Sequence, residues 1–303
     1  GWGIFKRYYL DLELICLKPD GIHFEFGAIA VGKTYLKDLL GCKLSVSFRG
    51  YDLNFSGLDQ ADYYKTVWEK ADACHFLGED LWQRALRRGC PADMPRSLIS
   101  PAIDLSLVEG AEPRVSQATG EPGKPIRILS VGRLEWKKGY EFALSAIKNL
   151  KDMGVDCLYE VIGEGATRDA LYFARHQLGL EGYVEFFGSL PHDKVMARYL
   201  EADIFLHSSV SEGFCNAVIE AQAVGVPVVC SDADGLRENI ADGVSGFVVP
   251  RRDPQAMAEK MALLARDPSF RQKMGSAGQA RVKSLFQLEQ QLEKWERFFK
   301  ELL

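Results

Sequence analysis

Apolar residues along this chain fall in short runs separated by longer amphipathic stretches, and the alternation persists from one end to the other. Short runs that are apolar on both faces predict strands of a parallel sheet, and the stretches between them predict right-handed crossover helices. In the first part, 21–27, 44–50, 74–78 and 97–102 are expected strands, with helices over 2–17, 28–40, 63–71 and 81–88. Further on, strands are expected near 127–131, 158–162, 183–187, 203–207 and 227–231. Helices are expected over 140–151 and from Asn216 to Gly225, which stops the helix with Pro227 just beyond. Residues 109–124 are rich in Gly, Pro, Glu and Ser and have no period, as a linker would. Residues 287–303 place Leu292, Trp295, Phe299 and Leu302 at helical spacing, so one face of that helix must be covered, and its mixed charges favour protein over membrane. The chain thus divides into an α/β unit over 1–108, the linker, a second α/β unit over 125–286 and a terminal helix packing back on the first unit. It shows no internal repeat or low-complexity tract.

Composition narrows the class. The 303 residues are 47% hydrophobic, enough for two cores, and a net charge of −5 argues against a nucleic-acid binder, whose domain would normally be basic. No signal peptide or apolar run of membrane-spanning length is present. Seven cysteines lie scattered, mostly in apolar contexts, which suits a reducing cytoplasm. The five histidines, His23, His75, His176, His192 and His207, have no paired spacing, so no metal site is expected. The sequence carries no signal for oligomeric state.

The candidate chemistry lies in two places. An apolar run from Ala202 to His207 empties into a loop bearing Glu212, and Glu220 follows eight residues later inside the next helix. Amides near 214–217 then stand at a helix N-terminus, which favours an anion such as phosphate. A carboxylate accepts two hydroxyls, so one glutamate suits a hexose edge and the other a ribose diol. Paired carboxylates also occur in glycosidases, but nothing else in the chain supports that chemistry. Upstream, Gly132 ends a strand and Arg133 and Lys138 fall in the connection to the next helix. Ligands of open parallel sheets bind at the carboxyl ends of strands, where two cations would stabilise a diphosphate leaving group. Either feature alone reads equally well as solvated surface charge; their joint occurrence in one strand–helix repeat does not.

The motifs Gly-Arg-Leu-x3-Lys-Gly at 132–139, Gly163-Glu-Gly165, Phe187-Gly188, Glu212-Gly-Phe-x5-Glu220-Ala and Gly225-x-Pro227-Val-Val resemble the retaining nucleotide-sugar glycosyltransferases of family 4, in order through about 127–250. The resemblance implies a GT-B architecture of two Rossmann-like domains facing a cleft, no metal and no cofactor. The donor would be a UDP-, GDP- or ADP-sugar and the acceptor a glycan or lipid-linked glycan, with room for peripheral membrane association through such an acceptor. Carried over by position, Arg133 and Lys138 bind the diphosphate and Glu212 holds sugar hydroxyls. Gly213 and the amides of Phe214, Cys215 and Asn216 meet sugar and phosphate, and Glu220 the ribose. The segment Phe-Arg49-Gly-Tyr-Asp52 resembles enzymes of bacterial exopolysaccharide synthesis and implies acceptor-side roles for Arg49 and Asp52. Relatives open with a strand and a glycine-rich turn that this chain lacks, so the first unit is expected to be partial and transfer to need N-terminal residues beyond it.

Three other classes compete. Residues 27–34 read Gly-Ala-Ile-Ala-Val-Gly-Lys-Thr and match the P-loop of NTPases after a strand, although their four intervening residues are all apolar. Gly163-Glu-Gly165 lacks the third glycine of a dinucleotide fingerprint, which argues against a dehydrogenase. A catalytically silent sugar-nucleotide module would keep Arg133, Lys138 and Glu220 without a competent partner domain.

Overall fold

The computed structural model describes residues 11–108, 118 and 120–303. The helix expected over 2–17 lies mostly outside them, as does the body of the expected linker; Leu12–Leu17 is helical. The described residues form two compact units, one of 11–100 with 292–303 and one of 101–291 apart from the undescribed stretch, so the division falls before the expected linker.

The first unit holds four parallel strands in sequence order, β1 (Gly21–Phe24), β2 (Lys43–Phe48), β3 (Ala73–Phe76) and β4 (Arg96–Leu98). Its sheet has two unlike faces. On one, Phe48 stacks on Trp68 at 4.5 Å and on Phe76 at 5.6 Å. On the other, Ser45 and Ser47 of β2 stand level with His23 of β1 and His75 of β3, beneath Trp295 of the terminal helix Leu288–Leu302. The helix expected over 28–40 is two pieces, Gly27–Ala30 and Tyr35–Leu40, interrupted where Gly32 takes φ +77°. This region is no phosphate cradle. The amide of Ala28 donates to Asp52, those of Ile29, Ala30, Val31 and Lys33 donate to backbone carbonyls, and the Lys33 ammonium meets Asp11 at 2.7 Å.

The second unit is a six-stranded parallel sheet, β5 (Ile126–Val131), β6 (Cys157–Ile162), β7 (Val184–Gly188), β8 (Ile204–His207), β9 (Val228–Ser231) and β10 (Gly246–Val249). Their order is β10-β9-β8-β5-β6-β7, that of a doubly wound sheet whose direction of growth reverses between β5 and β8. Alternation along each strand feeds two cores. Ile126, Ile128, Tyr159, Val161, Ile204 and Leu206 face helices Tyr140–Asp152 and Pro254–Arg266, whereas Leu129 and Phe205 face His192–Glu201 and Asn216–Ala223. Helices Pro254–Arg266 and Pro268–Leu285 each begin with Asp-Pro, the aspartate accepting from an amide three residues on at 2.9 Å, so their starts are fixed by sequence.

Candidate active site

The reversal between β5 and β8 brings their two following loops side by side, at the carboxyl edge of the sheet where ligands of this fold bind. After β5 the chain makes a short turn at Trp136–Lys138, ended by Gly139 at φ +63°. A Cβ on Gly139 would lie 2.4 Å from the Ser208 carbonyl oxygen, so only glycine lets this turn rest on the loop after β8. Two bonds sew the loops together: the Val210 amide donates to the Lys137 carbonyl at 2.8 Å and the Ser208 hydroxyl to the Lys138 carbonyl at 3.0 Å. Beneath them Gly163 admits the Gly132 carbonyl, which would fall 2.0 Å from a Cβ there. The Tyr140 hydroxyl donates to the same carbonyl at 3.0 Å.

This docking joins Lys138 to Glu212, whose Oε2 accepts from the Lys138 ammonium. His207, buried at the end of β8, presents Nε2 to the same oxygen at 3.5 Å and Nδ1 to the Cys215 sulfur at 3.9 Å, while the Ser209 hydroxyl lies 2.9 Å from Nε2. Burial acts to raise the Glu212 carboxyl, but the His207 hydrogen bond and the Lys138 charge outweigh it and bring it down to about 2. Burial acts to lower Lys138 and His207; Cys215 and Glu212 outweigh it in both, so each titrates above its ordinary value. The site therefore holds an ionised carboxylate between two cationic or cation-forming groups.

The loop itself is braced from behind. Asp234 accepts from the Ser211 hydroxyl at 2.7 Å and the Glu212 amide at 3.2 Å, and Arg251 donates to Asp234 and to the Val210 carbonyl, each at 3.1 Å. Gly213 and Phe214 are buried, with the Phe214 ring edge-on to Phe286 at 5.8 Å, and Asn216 opens helix Asn216–Ala223 exposed. The Cys215 amide, expected to face the donor, donates instead to Asn239 at 3.3 Å, and its carbonyl accepts from that side chain at 3.0 Å. Glu220 accepts from the buried Tyr199 hydroxyl at 3.0 Å and lies 3.5 Å from His192. Arg133 is not drawn into the cluster: its side chain is 68% exposed and pairs with Glu135 at 2.9 Å. In the first unit, Arg49 pairs with Glu25 at 2.5 Å. Asp52, expected on the acceptor side, is wholly buried and accepts from the amides of Ala28 and Arg49 at 2.9 and 2.8 Å; it braces Arg49 rather than facing a ligand.

Among the described residues, His207, Glu212 and Cys215 are the one group of metal-ligating side chains with ligand atoms within 4.8 Å of one another. The Lys138 ammonium already stands at Glu212, and Glu212 and Cys215 meet opposite nitrogens of the imidazole, so these groups bond to one another rather than converge on a point. Histidine spacing could not disclose the cluster, since its partners come from loops. The cue available was the abrupt end of an apolar strand in His-Ser-Ser. Asp234, Arg251 and Asn239 had no cue.

Fold and site together define a class, the GT-B glycosyltransferases. The crystal structure of Anabaena Alr3699/HepE in complex with UDP and glucose aligns with TM-score 0.83 and 19% identity over 97% of this chain and 82% of that one. A glycosyltransferase from Rickettsia africae ESF-5 aligns with TM-score 0.82 and 20% identity over 100% and 82%. The model of the glycosyl transferases group 1 family matches residues 112–281. A Salmonella typhimurium protein named as a colanic acid biosynthesis glycosyltransferase, WcaL, is 31% identical over 284 residues, 86% of this chain and 68% of that protein. The amylovoran biosynthesis glycosyltransferase AmsK of Erwinia amylovora is 33% identical over 280 residues, 88% and 65%. This chain belongs to the glycosyl transferases group 1 family, and the likeness to exopolysaccharide enzymes first carried by Arg49 and its neighbours extends to these relatives. It spans about two thirds of their length.

Proposed function

We propose that this protein transfers a hexose from a nucleoside diphosphate sugar to a glycan or lipid-linked glycan acceptor, with retention and without a metal, in the assembly of a bacterial exopolysaccharide. The observation that carries this reading is the Lys138–Glu212 pair at the switch point of the second sheet, a diphosphate-binding cation beside a hydroxyl-binding carboxylate. Relatives named for colanic acid and amylovoran synthesis support the pathway class, and a neighbour holding UDP and glucose supports the donor. The reaction belongs in the cytoplasm, at the inner face of the membrane where a lipid-linked acceptor would be met; among the described residues no helix is long and apolar enough to cross it.

In this mechanism the bond from the anomeric carbon to the phosphate oxygen breaks, the diphosphate leaves with the electron pair, and the acceptor hydroxyl oxygen bonds to the same face of the sugar as its proton passes to the departing diphosphate. The Lys138 ammonium stabilises the departing charge. The exposed Arg133 can turn from Glu135 to a phosphate, because a surface ion pair of that kind holds it by only about 1 kcal/mol or less. The test is calorimetric titration of UDP-, GDP- and ADP-glucose, with and without EDTA, into wild type and Lys138→Ala. One donor should bind, EDTA should leave it bound, and the variant should weaken it by about tenfold or more, the loss of a charge-assisted phosphate contact. Binding lost with EDTA, or unchanged in Lys138→Ala, overturns the reading.

A further inference from the structure

His207 lies outside every role so far assigned, yet it is buried at the centre of the contacts at the site. Alternation along β8 sends Ile204 and Leu206 into one core and Phe205 and His207 to the other face, where the imidazole stacks on the Phe205 ring with 15° between planes. Both ring nitrogens are engaged. Glu212, held ionised, can only accept, so Nε2 carries the proton it offers, and Nδ1 faces the thiol of Cys215. Cys215 is itself fixed by two hydrogen bonds with Asn239, and the Ser209 hydroxyl touches Nε2 from the strand end. The ring can neither flip nor translate without breaking one of these contacts.

The Lys138 ammonium and the His207 imidazole both approach Oε2 of Glu212. The ammonium, from the loop after β5, hydrogen-bonds Oε2. The imidazole, at the end of β8 with Ser209 as its nearer partner at 2.9 Å, stands 3.5 Å from the same oxygen, so both engage Oε2 and leave Oε1 as the oxygen open to a ligand. An ammonium on a four-carbon stem supplies charge with little direction, whereas a wedged imidazole supplies direction. We propose that His207 is a positioning residue for sugar recognition, aiming Oε1 of Glu212 at a hydroxyl pair of the transferred sugar. The inference rests on the reading above that Glu212 contacts the donor sugar.

The experiment measures affinities for the donor that binds tightest among UDP-, GDP- and ADP-glucose, and for its free nucleoside diphosphate. The proteins are wild type, His207→Leu, His207→Gln, Glu212→Ala and the His207→Leu/Glu212→Ala double variant. Glu212→Ala should weaken the nucleotide sugar and spare the diphosphate; equal losses there refute the role of Glu212 itself. Given that split, His207→Leu should reproduce it, with nucleotide-sugar affinity down about tenfold, the value of one hydrogen bond to a charged group. His207→Gln, which keeps an N–H, should recover part of the loss, and the double variant should be no weaker than Glu212→Ala alone. Equal losses of both ligands in His207→Leu, or additive losses in the double variant, overturn the proposal. If the leucine variant does not fold, His207→Gln against His207→Met gives the same answer, because only the first retains a donor.

Discussion

The histidines give the two units opposite responses to acid. In the first unit the His75 Nε2 lies 2.9 Å from the Ile99 carbonyl, which can only accept, so Nε2 is the protonated nitrogen. The order of the network then follows. Ser47 donates to His75 Nδ1, His23 Nε2 donates to Ser47, and Ser45 donates to His23 Nδ1, each at 2.8 Å. Protonating His75 would place a second donor where Ser47 already donates, under Trp295, and burial drives its pKa down to about 4. His23 is lowered too, chiefly by burial against the opposing charge of Glu25. Because the unfolded chain takes up protons near pH 6.5 and the folded His75 only near 4, stability is fully present above 6.5 and is lost as pH falls between those values, about 1.4 kcal/mol of it by about pH 5.5 and about 3 kcal/mol in all. His207 in the second unit is raised, so its contribution is present below about pH 6.5 and lost as pH rises through the folded pKa.

Hydrogen exchange read peptide by peptide between about pH 7.5 and 5.5, corrected for intrinsic rates, separates the two units. Protection of β2 and β3 should fall about tenfold on acidification, while that of β8 and β9 should hold or rise. His75→Phe should reduce the response of β2 and β3 to the part that His23 contributes, at a cost of about 1–3 kcal/mol at neutral pH, since Ser47 and the Ile99 carbonyl lose their partner. Parallel losses of protection in both units, or an acid response of β2 and β3 undiminished in His75→Phe, would refute the assignment.

Lys33→Ala should leave nucleotide affinity unchanged by calorimetry, because the amides of Ala28 to Val31 and of Lys33 are spent on Asp52 and backbone carbonyls and the ammonium on Asp11. Gly139→Ala should destabilise the second unit by about 1–3 kcal/mol in denaturant titration and weaken donor binding, since it combines a left-handed φ with a backbone clash at Ser208. Arg251→Met, which takes one donor from the Val210 carbonyl and one from Asp234, should reduce nucleotide-sugar affinity more than diphosphate affinity, because it loosens the Glu212 loop and leaves the Lys138 turn in place. Equal loss of both ligands there would show that the brace does not act through Glu212.

In the second unit β8 and β9 were legible because they are buried on both faces and read as apolar runs, and β5, β6 and β7 because each carries a single charged residue, Arg127, Glu160 and Glu185, in an otherwise mainly apolar run. The exception, β10, is no shorter than β8 or β9 but follows directly on the turn Asp242–Ser245, so its apolar residues look like the tail of a loop. In the first unit a helical period ran straight through 28–40, and only the positive φ of Gly32 splits it. Neither face of β2 could be assigned from its own residues. Whether Ser45 and Ser47 face water or a histidine depends on register with strands some 22 to 28 residues away.

At the site, sequence disclosed positions but not directions. Lys138 and Glu212 are 74 residues apart, yet both follow strands, and a doubly wound order puts β5 beside β8, so their meeting follows from topology. Arg133 follows the same strand as Lys138, and nothing in its spacing says that its side chain turns outward to Glu135. The difference lies in burial. The Lys138 side chain is 13% exposed and cannot remain charged there without a carboxylate, so Glu212 and the turn must be placed together; Arg133, in water, is held to no partner so strictly. Residues fixed by desolvation are thereby committed before a ligand arrives, and those left in water remain to be recruited by it. On the function proposed above, a diphosphate entering this site would find Lys138 already placed beside the carboxylate of Glu212 and would have to draw in Arg133.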